Sequence, residues 1–168
     1  ILVTHDHRDH YSSPDVKALS QEGTRVVAPM ATPLVTDLIS PGEARDFGAL
    51  TVAAVPAYNL KKKFHPKENG WVGYVIGISG RKIYYAGDTD NIPEMKAMEV
   101  DAALIPVGGT YTMDALDAAR AVDAMKAGVV IPTHFGDIVG SREDALSLAR
   151  NMKKTVCILD PGEKHTLA

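Results

Sequence analysis

Short runs of alternating or wholly apolar residues are interleaved with longer stretches whose apolar positions recur at helical spacing. Ile1-Leu2-Val3 reads as a buried strand. Ser13 can cap a helix and Pro14 suits its first turn, so a helix is expected from 13 to about 22, stopping at Gly23. A short strand follows over 25–28, and a helix is expected over 31–40, ended by Pro41-Gly42. Segments 43–47 and 50–55 flank Gly48 as a hairpin, and 71–78 and 82–86 flank Ser79-Gly80-Arg81 as a second one. Residues 56–70 between them form a polar loop without a regular pattern.

The second half alternates more plainly. A short helix is expected over 93–98 and a buried aliphatic strand over 102–106. Ala115, Ala118, Ala119, Val122 and Met125 mark a helix over 114–127, which leads to a strand over 129–132. Ala145, Leu148, Ala149 and Met152 mark a helix over 142–153, and strands over 156–159 and 163–166 close the chain. The pattern predicts one α/β domain over residues 1–168, with helices covering sheet faces. The apolar start directly before a dense polar cluster suggests a domain entered part-way, with earlier strands absent.

Composition adds little beyond this. Of 168 residues, 45% are apolar and 23% charged, an ordinary globular balance. The net charge of -3 gives no reason to expect nucleic acid or a membrane as partner, and no apolar run reaches spanning length. Cys157 is the only cysteine, so a disulfide framework and a thiolate zinc knuckle are both excluded, and a cytoplasmic setting is the simplest expectation.

The chemistry is concentrated in Thr4-His5-Asp6-His7-Arg8-Asp9-His10, directly after the first strand. Imidazoles and carboxylates suit zinc and neighbouring divalent ions, and crowding them without a cation is costly. His5 and His7 can share one metal, while Asp9 and His10, displaced along the turn, can hold a second. Asp88 follows the strand over 82–86 and His134 the strand over 129–132. Both stand at strand ends, where α/β sites are commonly built. Taken singly, Asp88 is equally a turn former and His134 equally a core histidine; the first cluster shifts both toward ligands.

With these residues in view, the sequence resembles the metallo-β-lactamase fold superfamily, in particular metal-dependent hydrolases akin to ascorbate-6-phosphate lactonase. The resemblance is carried by residues 4–10, Tyr84-Tyr85-Ala86-Gly87-Asp88-Thr89, residues 104–113 and Ile131-Pro132-Thr133-His134. It implies an αββα sandwich with a two-metal site at one edge, and N-terminal strands missing from this chain. It also implies His5 and His7 on a first metal, Asp9, His10 and His134 on a second, and Asp88 bridging. Two divalent ions are implied, zinc foremost, with manganese or iron as the other options. The family's oxygen-reducing di-iron proteins usually carry glutamate where His7 stands, which favours hydrolysis here.

One departure stands out. The family places a histidine on the loop after the strand over 50–55, where this chain has Asn59. Either Asn59 is a weak ligand, or His65 reaches in, or the first metal is loosely held. Lys61-Lys62-Lys63 on the same loop is either a solvated run or an attractor for an anionic substrate group. Thr112 is expected to cap a helix, Tyr111 to contact substrate, and Trp71 to serve as core or pocket wall.

These readings converge on a metal-dependent hydrolase acting on a small ester, lactone or phosphoester. Metal-activated water would be the nucleophile, with Asp9 orienting it and Asp88 fixing the pair. A nuclease of the same fold ranks lower, for want of a basic surface or added domain. A metal-binding sensor without activity is kept open by Asn59. The oligomeric state is open.

Overall fold

The structure, a computed structural model, describes residues 1–96 and 98–167. Its frame is a seven-stranded sheet in sequential order: β3 (Ala44–Asp46), β4 (Leu50–Pro56), β5 (Val72–Ile78), β6 (Arg81–Tyr85), β7 (Glu99–Pro106), β8 (Lys126–Thr133) and β9 (Thr155–Val156). The β3–β6 half is antiparallel and the β6–β9 half parallel. Both expected hairpins are present, Leu50 pairing with Ile78 and Ile78 with Arg81. The parallel half needs crossovers, two of them carried by α2 (Ala115–Asp123) and α3 (Arg142–Arg150).

Both faces of the sheet are apolar. On one, Tyr84, Ile105, Val107 and Val130 pack against Ala118, Val122 and Leu148 of the two helices. On the other, Val52, Ala54, Val72 and Tyr74 pack against Val27 and Ile39. These two residues belong to a small second layer, in which β1 (Val27–Ala28) pairs in parallel with β2 (Asp37–Leu38). The first three residues run beside β1 through the single bridge Leu2–Val27, flanked by hydrogen bonds from Val3 N to Val27 O and from Val27 N to Ile1 O.

Several expectations need correction. The segment 31–40 is not a helix. Thr36 and Asp37 donate from their backbones to Val26 O, and Ile39 donates to Ala28 O, so strand pairing takes this segment. Pro33 in its middle also lacks the donor that a helix would use. The first helix, α1 (Ser13–Leu19), is shorter than expected and capped by Ser12, whose side chain accepts from Asp15 N. In the second, Asp114 and not Thr112 is the cap, accepting from Asp117 N, and residues 126–127 already belong to β8. The expected helix over 93–98 is a 3-10 turn at Pro93–Met95, with Ala97 outside the described residues. No strand forms over 163–166. Among the described residues no helix is long and apolar enough to cross a membrane.

Candidate metal centre

The site lies where the first segment, β6 and β8 end. Val72 N donates to Thr4 O at 3.2 Å and Tyr74 Oη donates to Val3 O at 2.7 Å, so β5 holds the chain immediately before His5. His10 N and Tyr11 N both donate to His7 O at 2.9 Å. That turn folds His10 back over His5, with ring centroids 4.1 Å apart. After β6, Gly87 adopts φ 64° and leaves no room for a side chain: a Cβ there would lie 3.1 Å from Thr4 and 3.2 Å from Val72 O. This close approach carries Asp88 under the histidine loop. After β8, His134 itself takes φ 58°, a left-handed conformation that a non-glycine residue rarely holds without compensation elsewhere.

Asp88 is the centre of the cluster. Its Oδ2 lies 3.2 Å from His134 Nε2, 3.3 Å from His65 Nε2 and 3.9 Å from His5 Nε2, and its Oδ1 lies 3.3 Å from His10 Nε2. Asp9 Oδ2 lies 3.4 Å from His10 Nε2 and 3.7 Å from His134 Nε2. Three overlapping donor groups result, each with its ligand atoms within 4.8 Å of one another: His5, His7 and His65; His5, His10 and Asp88; Asp9, His10 and His134. All six ligands suggested by the sequence are therefore brought together.

The structure brings His65, and not Asn59, beside His5 and His7. Asn59 stands behind His65: its Oδ1 accepts from His65 N at 3.0 Å and lies 3.2 Å from His65 Nδ1. Asn59 Nδ2 donates to Tyr111 O at 2.9 Å and to Asp90 Oδ1 at 3.2 Å. Both ends of the carboxamide are thus committed. Trp71 forms the wall behind three of the imidazoles, with centroids 4.7 Å from His7, 5.1 Å from His5 and 5.5 Å from His65.

The electrostatics suit a cation. Burial, reinforced by His10, lowers the His5 pKa to about 3, so that ring is neutral and its nitrogen free to ligate at neutral pH. Burial alone would raise the Asp88 carboxyl, but hydrogen bonds from His10, His134 and His65 outweigh it and hold Asp88 below the usual carboxylate range. His134 is raised by its hydrogen bond to Asp88. Nε2 of His5 and Nε2 of His65 are buried with no hydrogen-bond partner, as is Nδ1 of His134. Buried polar atoms without partners are costly, and two such nitrogens beside one carboxylate fit a divalent ion. With Thr4 Oγ1 2.9 Å from His5 Nδ1, and Asn59 at His65 Nδ1, each ring has a partner on the side away from the cluster.

A pocket of about 390 Å³ opens onto the centre, lined by His7, Arg8, Asp9, Phe64, His65, Asp88, Tyr111 and Ile138. Tyr111 is where a substrate contact was expected, and its ring meets Phe64 edge-on at 4.7 Å. Sequence reasoning passed over Arg8, Phe64, Ile138 and Asp90. The carboxylate of Asp90 accepts from Leu60 N, Lys62 Nζ and Asn59 Nδ2. Its position two residues after Asp88 was the available signal.

A family model described as a beta-lactamase superfamily domain matches residues 1–134. This chain belongs to that superfamily. It is 34% identical over 189 residues to a UPF0173 metal-dependent hydrolase of Symbiobacterium thermophilum, covering 99% of this chain and 81% of the relative. Among solved structures, one named as a metal-dependent hydrolase of Parabacteroides distasonis superposes with a TM-score of 0.83 at 30% identity. That match covers 94% of this chain and 74% of that one. Igni18, a metallo hydrolase of Ignicoccus hospitalis, shares the fold with a TM-score of 0.77 at 23% identity, covering 96% and 76% of the two chains. Within the beta-lactamase superfamily, the chain thus groups with metal-dependent hydrolases.

Proposed function

We propose that this protein hydrolyses a small ester, lactone or phosphoester with the help of two divalent ions, zinc foremost and manganese or iron as the other candidates. His5, His7 and His65 would hold one ion and Asp9, His10 and His134 the other, with Asp88 between them. One observation carries this reading: the Asp88 carboxylate lies within 3.3 Å of His65, of His134 and of His10, so one anion reaches members of both donor groups. A third imidazole at His65 also removes the reason for reading the Asn59 departure as loss of a site.

When bound, such ions lower the pKa of water and polarise the scissile carbonyl or phosphoryl group. The chain's own residues do the rest. Asp88, held ionised by three imidazoles, supplies negative charge at a fixed point. Asp9 lines the pocket with its side chain partly exposed, which suits it to orient the attacking water and take up its proton at the carboxylate. Trp71 excludes solvent from behind the histidines, so the polar contacts in front of it act in a drier environment.

The test is metal content per chain in protein purified without added metal or chelator, joined to a panel of ester, lactone and phosphodiester substrates. Two ions per chain are expected, with hydrolysis of at least one class and its loss in Asp88→Asn. A metal-free protein that takes up no zinc would sink the proposal, as would a fully loaded one inert toward the whole panel.

A further inference from the structure

Building on the hydrolase reading, we infer that the substrate carries a compact anionic group, a carboxylate or phosphate, held by Arg8, with an apolar body lying on Phe64 and Ile138. Arg8 lines the pocket between His7 and Asp9, is exposed, and has no ion pair or hydrogen bond among the described residues. An arginine without a partner at the mouth of a catalytic pocket offers its planar fork of donors to a carboxylate or phosphate. The nearby lysine run does not compete for this role. Lys62 Nζ is bound to Asp90 at 2.9 Å, and none of the three lysines is among the residues lining the pocket.

The rest of the wall fixes the neighbouring part of the ligand. Phe64 and Ile138 are large apolar residues left 45% and 63% exposed, and both lie on this pocket. Phe64 is braced edge-on by Tyr111, whose carbonyl is tied to Asn59. A cation beside two exposed apolar side chains fits a ligand with one charged end and one apolar face, which a neutral alkyl ester or a polyanion lacks. The pocket carboxylates do not oppose it, since Asp88 and Asp9 are both faced by imidazoles.

The test measures binding of benzoate and of neutral benzamide to the zinc-loaded protein by calorimetry, in the unaltered chain and in Arg8→Gln, with zinc content verified in each. Benzoate is expected to bind the unaltered protein and to weaken about tenfold to hundredfold in Arg8→Gln, the effect of losing a charge-assisted contact. Benzamide should be unaffected, and Phe64→Ala should weaken both probes. Arg8→Lys, which keeps the charge and loses the fork, should fall between. Should Arg8→Gln lose zinc, Arg8→Lys against the unaltered protein decides the matter by the same comparison of probes. Benzoate that fails to bind the unaltered protein overturns the inference, and so does equal weakening of both probes. Inertness toward every hydrolysable substrate, with the benzoate difference intact, would sink the hydrolase reading and leave the anion site standing.

Discussion

The side-chain oxygen of Asn59 lies 3.2 Å from Nδ1 of His65 while also accepting from the His65 backbone at 3.0 Å. An amide oxygen can only accept, so the proton sits on Nδ1 and Nε2 is left free, facing Asp88. Asn59 thus fixes the tautomer and the ring angle of a candidate ligand. Replacing it with Ala or Leu should weaken zinc at the His5, His7 and His65 position about tenfold to hundredfold, the usual effect of losing such a support. Competition titration with a chelator on stripped protein would reveal it, with the Asp9, His10 and His134 position unchanged. Equal affinities before and after the substitution would contradict this role.

Metal removal should destabilise the fold. Two histidine nitrogens buried without partners are a standing cost that a cation relieves. At zinc a thousandfold above its dissociation constant, binding adds about 4 kcal/mol per site, or about 10 °C in melting temperature for a domain of this size. Thermal melts of loaded, stripped and reloaded protein should show the fall and its reversal.

Gly87 tests the backbone beneath Asp88. Ala there would meet both the left-handed φ and the Thr4 and Val72 contacts. A loss of about 1–2 kcal/mol is expected from the conformation alone. Because Asp88 is the next residue, metal affinity should fall in parallel with stability, whereas a purely scaffold position would move stability only. Chemical denaturation and zinc titration of Gly87→Ala read the two effects separately.

Tyr74 is the third position. Its buried hydroxyl donates to the Val3 carbonyl two residues before His5. Tyr74→Phe keeps the packing and removes that donor, so a loss of about 1 kcal/mol is expected in a urea titration. An unchanged midpoint would show that the bond contributes nothing.

The metal cluster was legible in the sequence because its members announce themselves. His5, His7, Asp9 and His10 share one short loop, and Asp88 and His134 each follow an apolar strand at its end. The two hairpins and β7 were equally plain, since alternation and turn glycines are local signals. The segment holding β2 was not. Leu34, Val35 and Leu38 have the spacing of a helix face, and only contact with Val26 and Ala28 makes them extended. His65 was hidden for a different reason. Its loop has no period; it is shaped by Asn59 N donating to His65 O at 2.8 Å, together with the Asn59 side chain. Such a closure leaves no trace in the apolar pattern, so the expected histidine was sought six residues too early.

The donor groups draw on four stretches of chain that are far apart in sequence, around His5, His65, Asp88 and His134. An ion held among them would be a cross-link as well as a reagent. It would close several long loops at once, and most of its ligands meet only after the central strands have aligned. Tight zinc uptake should therefore come late in folding, and its slow release should keep the opened chain from escaping. In kinetic terms the metal would act as a latch: it would contribute little to how fast this protein folds and much to how long it stays folded.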